Sequence, residues 1–208
     1  MQRLNQDFYL RNSVDVAKDL LGKIIVREAE GHTYPFKIVE TEAYMGVTDK
    51  GAHVFGDKKT GRTWPLYEIG GTTYIYLIYG MYHCLNIASN KVGVPHCVLI
   101  RALEPLSEAA LNFAQINRQI RSKKVQDLTN GPGKLCKALK IDKKLNAQSV
   151  VKGNELWIGR DETQASFQIV SSKRINIPYA MEDQHRLWRF YIQGNSFVSV
   201  IDKEAKKL

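Results

Sequence analysis

The stretch Ile38-Val39-Glu40-Thr41-Glu42-Ala43-Tyr44 does most to limit what this chain can fold into. Its β-branched and aromatic residues read as a strand, yet two carboxylates interrupt the apolar pattern. On a strand Glu40, Glu42 and Tyr44 project from one face, the two glutamate Cα atoms roughly 6.5 to 7 Å apart by strand rise. Two carboxylates on one face raise one of their pKa values by mutual repulsion, and ionised groups on an apolar strand cost free energy unless paired or hydrogen-bonded. The segment therefore carries a general acid and base pair, or one reactive and one structural carboxylate. The plain alternative is a half-exposed edge strand with solvated glutamates. Arg101, centred in Val98-Leu99-Ile100-Arg101-Ala102-Leu103, weighs against that alternative. An arginine on an apolar strand requires a carboxylate partner, and a glutamate held by arginine stays ionised at neutral pH, as a general base must.

About thirty residues later, Tyr74-Ile75-Tyr76-Leu77-Ile78-Tyr79-Gly80-Met81-Tyr82 crowds four tyrosines around a glycine. Gly80 can supply a turn with positive φ between two strands, which puts Tyr79 and Met81 at a hairpin tip. Large apolar side chains at an exposed tip usually touch something: the protein's own core, a partner protein, or the base stack of a bent duplex.

The remaining pattern is strand-rich. Ser13 is the expected cap of a helix over residues 14–21, stopped by Gly22, and strands over 23–27 and 33–44 flank a turn at 28–31. Further strands are expected at 74–78, 82–88 and 96–103, then at 155–158, 166–177 and 189–200. Helical spacing covers 106–120, and Pro132 occupies a first-turn position ahead of a helix over 134–139. Helices do not alternate regularly with strands, which disfavours a parallel doubly wound sheet. The expected fold is α+β: one domain over residues 1–208, with a curved, mainly antiparallel, open-barrel-like sheet and flanking helices.

At 208 residues and 44% hydrophobic content, the chain can bury a full core. Three cysteines (Cys84, Cys97, Cys136) without a Cys-x-x-Cys spacing argue against a disulfide framework and for core thiols in a reducing compartment. The N-terminus lacks the apolar run of a signal peptide, and no stretch approaches the ~20 apolar residues of a membrane span, so a soluble cytoplasmic protein without membrane association is expected. Thirty Lys and Arg against 21 Asp and Glu give a formal charge of +9. A solvated basic surface would account for this; a polyanion partner is the sharper reading. The basic residues gather at Lys58, Lys59 and Arg62, at Arg118, Arg121, Lys123 and Lys124, and at Lys134, Lys137, Lys140, Lys143 and Lys144, as a folded phosphate-tracking face would require. His83-Cys84 and His96-Cys97 do not make a metal site, because adjacent strand residues point to opposite faces. Gly131-Pro132-Gly133 lacks Walker spacing, although a helix N-terminus there can contact a phosphate. No metal and no cofactor is expected.

Glu40-Thr41-Glu42-Ala43-Tyr44, His53, Tyr76-Leu77-Ile78-Tyr79-Gly80-Met81-Tyr82, Asn86, Leu99-Ile100-Arg101-Ala102-Leu103-Glu104-Pro105, Gly131-Pro132-Gly133-Lys134-Leu135 and Arg189-Phe190-Tyr191 together resemble the alkyladenine (mammalian-type 3-methyladenine) DNA glycosylase family, in order from about Asp7 to Asp202. The resemblance implies a base-excision-repair enzyme that rotates alkylated or deaminated purines out of double-stranded DNA and hydrolyses the N-glycosidic bond. By position, Glu42 matches the general base and Arg101 the residue that holds water and carboxylate, with the main chain of Ile175 also contacting that water. Tyr44, His53 and Tyr76 match the walls that stack on the base, and main-chain groups at Gly51 and His53 match those that read its edge. Asn86 matches the side chain that crowds the exocyclic amino group of guanine. Tyr79 matches the intercalating wedge, with Met81 beside it, and Arg62 a DNA contact. No lysine near Glu42 offers Schiff-base chemistry, so a monofunctional enzyme without lyase activity is expected. One lesion needs only a monomer.

The chain also departs from the family. Thr60 and Arg62 remain in the loop after His53, but Thr63-Trp64-Pro65-Leu66-Tyr67 and Ile69-Gly70-Gly71 replace its usual continuation. Asn176 stands where the family has glycine, which predicts a weaker water contact from Ile175. Two other classes compete: a non-catalytic nucleic-acid-binding module, which leaves Glu42 and Arg101 without work, and a carbohydrate hydrolase using Glu40 and Glu42 as a pair, which leaves the basic surface unexplained.

Overall fold

The computed structural model describes residues 1–161 and 166–208. In chain order the described elements are β1 (Gln2–Arg3), α1 (Gln6–Tyr9), α2 (Ser13–Leu20), β2 (Ile24–Ala29), β3 (His32–Tyr44), β4 (Thr73–Ile78), β5 (Tyr82–Ser89), β6 (His96–Pro105), α3 (Glu108–Arg118), α4 (Pro132–Ala138), β7 (Leu156–Arg160), β8 (Ile169–Ser172), β9 (Arg189–Ile192) and β10 (Lys206–Lys207). All strand pairings are antiparallel, in the order β1-β7-β2-β3-β6-β5-β4, with β9, β8 and β10 branching off β3. The α+β expectation is met.

β3 is the branch point. One edge pairs with β2 through residues 32–37 and with β9 through residues 40–42, while the other runs along β6. Register shifts on both sides of Glu40 kink the β6 ladder there, as a β-bulge does, and let the sheet fork. The β2–β3 turn is tighter than expected: Glu30 and Gly31 alone make it, at φ 54° and 77°, the two-residue geometry matched to strand twist.

Several boundaries differ from expectation. Asn12, not Ser13, caps α2, its side chain accepting from the Asp15 N–H at 3.1 Å. Ser13 is fully buried and donates to the Tyr44 carbonyl at 2.9 Å, tying the helix start to the end of β3. The strands expected at 166–177 and 189–200 shrink to β8 and β9. Asn176 adopts φ 58° and Gly194 φ 77°, neither of which a strand accommodates. The helix expected over 106–120 is α3, which starts after its Ser107 cap and ends at a left-handed Gln119.

The main core lies where α2, α3 and α4 cover the sheet, with Val16, Leu20, Ile25, Phe36, Leu85, Ile100 and Leu135 all essentially inaccessible. Each such side chain contributes about 1.5 to 3 kcal/mol by burial. A smaller cluster, Val54, Leu66, Tyr67, Tyr74 and Cys97, packs under the loop between β3 and β4. All three cysteines are buried and free, and burial pushes the Cys97 thiol up to about 12.

Candidate active site

The two glutamates on β3 have separate environments. Glu40 is fully buried, accepting from Ser199 Oγ at 2.9 Å and Ser199 N at 2.7 Å, and from the guanidinium groups of Arg189 at 3.1 Å and Arg101 at 3.2 Å. Arg189 spends its other donors on the Lys173 and Val200 carbonyls and on Ser172 Oγ. Glu42 is equally buried: its Oε1 accepts from Ile175 N at 2.7 Å and pairs with Arg101 Nη1 at 3.2 Å, while its Oε2 accepts from the Tyr44 hydroxyl at 2.9 Å. Arg101 thus bridges the carboxylates, Nε to Glu40 and Nη1 to Glu42. Burial alone would lower its pKa, but Glu42 and then Glu40 hold it above the usual arginine value.

This removes two readings. Neither glutamate is solvated, and they form no acid and base pair, since Glu40 is enclosed by Arg189 and Ser199. The main chain of Ile175 reaches the Glu42 carboxylate itself, its N–H donating to Oε1 at 2.7 Å. Asn176 occupies a left-handed position at φ 58°, a conformation that glycine and asparagine adopt more readily than other residues.

Beside Glu42 lies a cavity in two parts. The inner part, about 30 Å³, includes Tyr44, Gly51, His53, Tyr76, Asn86 and Tyr179 in its walls. The outer part, about 550 Å³, shares Tyr44, His53, Tyr76 and Tyr179, and adds Arg101, Ile175 and the hairpin residue Tyr79. All three groups that hold Glu42, those of Tyr44, Arg101 and Ile175, therefore lie in the wall of the outer part. His53 meets the Tyr76 ring edge-on at 4.6 Å and bonds through Nδ1 to the Tyr74 hydroxyl at 2.9 Å. Asn86 is pinned by a bond from its Nδ2 to the Tyr74 carbonyl at 3.1 Å. Burial raises the pKa of Tyr44, Tyr74 and Tyr76, so their rings stay neutral.

Burial, and then the charge of Arg62, push His53 down to about 4. Above its ordinary value near 6.5, His53 is neutral folded or unfolded and contributes nothing to the pH dependence. Below it the unfolded chain takes up a proton that the folded chain refuses, so stability falls as pH drops from 6.5 to about 4. In urea titrations at stepped pH, His53→Gln is expected to show a shallower decline across that window than the wild type. Equal slopes would contradict this.

Sequence reasoning left several residues aside. Arg174 forks onto Asp49, Nη1 to Oδ2 at 2.6 Å and Nη2 to Oδ1 at 2.8 Å, and donates to the Ala43 carbonyl. Its guanidinium sits 4.8 Å from the Tyr44 ring centroid and 5.0 Å from that of Trp188, so it backs the Tyr44 wall from outside the cavity. A Cβ on residue 51 would come within 2.9 Å of this pinned guanidinium, which is why Gly51 stands there. Gly51 N is not open to a ligand, because it donates to Asp49 Oδ1 at 2.8 Å; the Gly51 carbonyl accepts from Tyr179 OH at 3.3 Å. Tyr74 and Tyr179 also reach the cavity. Tyr74 had a signal, the Tyr74-Ile75-Tyr76 alternation; Tyr179 had none.

The hairpin presents its tip as expected. Tyr79 and Gly80 adopt φ 52° and 69°, and Tyr79 and Met81 are 75% and 66% exposed. A tyrosine at positive φ is strained, and such strain persists where the surroundings or function require it. Arg62 is exposed, in a groove with Lys143 beside the Tyr76 strand. The departing loop reaches the cavity through Leu66. Among the described residues no three His, Cys, Asp or Glu side chains converge as metal ligands would.

The family model described as Methylpurine-DNA glycosylase matches residues 7–196. A protein of Clostridioides difficile (strain 630), provisionally named a 3-methyladenine DNA glycosylase, is 50% identical over 203 residues, covering 91% of this chain and 100% of that protein. Proteins of the same provisional name from Natranaerobius thermophilus (46% over 198 residues, 95% and 99% coverage) and Clostridium novyi (48% over 203 residues, 96% and 99%) are similar along their lengths.

Proposed function

The chain belongs to the methylpurine-DNA glycosylase family, and from that premise we propose that it is a DNA-repair hydrolase that flips damaged purines out of duplex DNA and cleaves their N-glycosidic bonds with a water activated by Glu42. The observation that carries the reading is the Glu42 carboxylate, held by Arg101, Ile175 and Tyr44 directly behind a cavity walled by aromatic rings. With Oε1 engaged by Ile175 and Arg101, Oε2, which also accepts from the Tyr44 hydroxyl, is the oxygen that takes the proton of water as it attacks C1′. The released base leaves an abasic site.

The walls suit the leaving group. Purines alkylated at N3 or N7 carry positive charge and weakened glycosidic bonds, and aromatic faces attract such cations by ~0.5 to 2 kcal/mol. Tyr44, Tyr76 and His53 stack on the flipped base, and a neutral His53 does not repel a cationic purine. Asn86, fixed to the Tyr74 carbonyl, crowds the exocyclic amino group of guanine. Gly51, in this reading, offers its carbonyl. No lysine lines either part of the cavity among the described residues, which supports hydrolysis without lyase chemistry. Tyr79, with Met81 beside it, fills the gap left in the stack, and Arg62 contacts the backbone of the bent duplex.

Release of free base from duplexes carrying 7-methylguanine, hypoxanthine or ethenoadenine tests the reading. Release of at least one is expected; tight binding to all three without release would make the chain a DNA-binding protein on this fold. Tyr79→Ala is expected to weaken flipping about tenfold, the scale of one lost base-aromatic stack, with the inner cavity intact. A stopped-flow trace with wild-type flipping would remove the wedge role.

A further inference from the structure

The inner part of the cavity is by itself too small for a purine. A water needs roughly 10 to 15 Å³ by this measure, so about 30 Å³ admits two waters and no purine. A purine stacked on Tyr44, His53 and Tyr76 therefore reaches into the outer part, which shares those rings, or displaces a wall of the inner one. Tyr44 is backed by Arg174 and bonded to Glu42, and Asn86 is pinned to Tyr74. Tyr179 lines both parts of the cavity as Tyr44 does, but it is 60% exposed, and among the described residues its phenol has one hydrogen bond, a long 3.3 Å contact to the Gly51 carbonyl. Its segment is nevertheless anchored. Lys50 N donates to Asp183 Oδ2, Lys50 Nζ to Glu182, and Arg174 Nη2 to the Asp183 carbonyl.

We propose that Tyr179 is a further base-contacting, specificity-setting residue: the movable wall that swings off the Gly51 carbonyl to admit a flipped purine and then closes on its exposed edge. This rests on the glycosylase reading of the same cavity. The hydroxyl has a second consequence. It caps the Gly51 carbonyl, so an entering base must displace an O–H donor from that acceptor. A base with an N–H for that position replaces the lost bond, and one without leaves a carbonyl unpaired in the closed pocket.

The test compares wild type, Tyr179→Phe and Tyr179→Ala in single-turnover excision of hypoxanthine and 7-methylguanine, fitting half-saturation and limiting rate separately. Calorimetric binding of free hypoxanthine to each protein, and each protein's Tm, complete the set. Tyr179→Ala is expected to raise half-saturation about tenfold, the scale of one lost aromatic contact to a base, with the limiting rate changed less than threefold. Tyr179→Phe keeps the ring but uncovers the carbonyl, and is expected to alter the ratio between the two lesions while Tm holds. Both variants behaving as wild type would overturn the proposal. So would a uniform fall in limiting rate with a lowered Tm, which marks a structural residue. If the wild type releases neither base, the glycosylase reading fails, and the calorimetric arm decides on Tyr179 alone: weaker hypoxanthine binding by Tyr179→Ala supports the wall, and unchanged binding overturns it.

Discussion

Glu42→Gln is expected to lower the limiting rate of base release by about 10²- to 10⁴-fold, the range of general-base assistance, while affinity for a lesion-bearing duplex stays within a few-fold of wild type. The amide keeps an oxygen to accept from Ile175 N and Arg101, so the wall of the cavity stays in place. What it loses is the capacity to take a proton from water. The effect should be largest for neutral bases such as hypoxanthine and smaller for cationic ones, whose bonds are already weakened. Single-turnover release with parallel equilibrium binding measures both quantities. Near wild-type release by Glu42→Gln would exclude Glu42 as the base, and loss of binding in step with rate would make it a structural carboxylate.

Glu40→Ala is expected to act on the opposite quantity. Glu40 has no exposed surface and is the only carboxylate, among the ion pairs of the described residues, that meets Arg189, itself almost fully buried. Removing it leaves that guanidinium charge and two Ser199 donors without their acceptor in the interior. Breaking a buried pair from one side costs about 3 to 5 kcal/mol. For a chain of this size that lowers Tm by roughly 10 °C. Urea unfolding with an unchanged slope and an earlier midpoint would register the loss. An unfolding free energy within about 1 kcal/mol of wild type would show that Arg189 finds other partners. Side by side, the two substitutions separate chemistry from folding on one face of one strand.

That separation was only half legible in the sequence. Strand alternation put Glu40 and Glu42 on one face, and Arg101 in an apolar strand announced a carboxylate partner; both are local facts of residue type and period. The hairpin was legible for the same reason, since Tyr79-Gly80 between two β-rich runs leaves few other turns. The helix cap lies one residue before the one the sequence points to, because Ser13 and Asn12 are both good caps and the Tyr44 carbonyl claims the serine. The strand ends after β8 and β9 were overrun because apolar content continues past Ser172 and Ile192, while the backbone turns away at Asn176 and Gly194.

The sequence by itself determined the α+β character, the antiparallel strands, the basic surface and the residues able to do chemistry, because propensity, periodicity and charge act over a few neighbouring positions. Only the tertiary structure decided which glutamate backs the cavity and which is buried as a brace. Ser199 meets Glu40 across 159 residues and Ile175 meets Glu42 across 133, and no period in the chain encodes contacts that long. The Arg174 and Asp49 fork behind Tyr44, the need for Gly51 and the exposed Tyr179 belong to the same class. They arise where the β9 branch and the loop that precedes it pack against the fork in β3, and a buried charge settles for whichever donors that packing brings within reach.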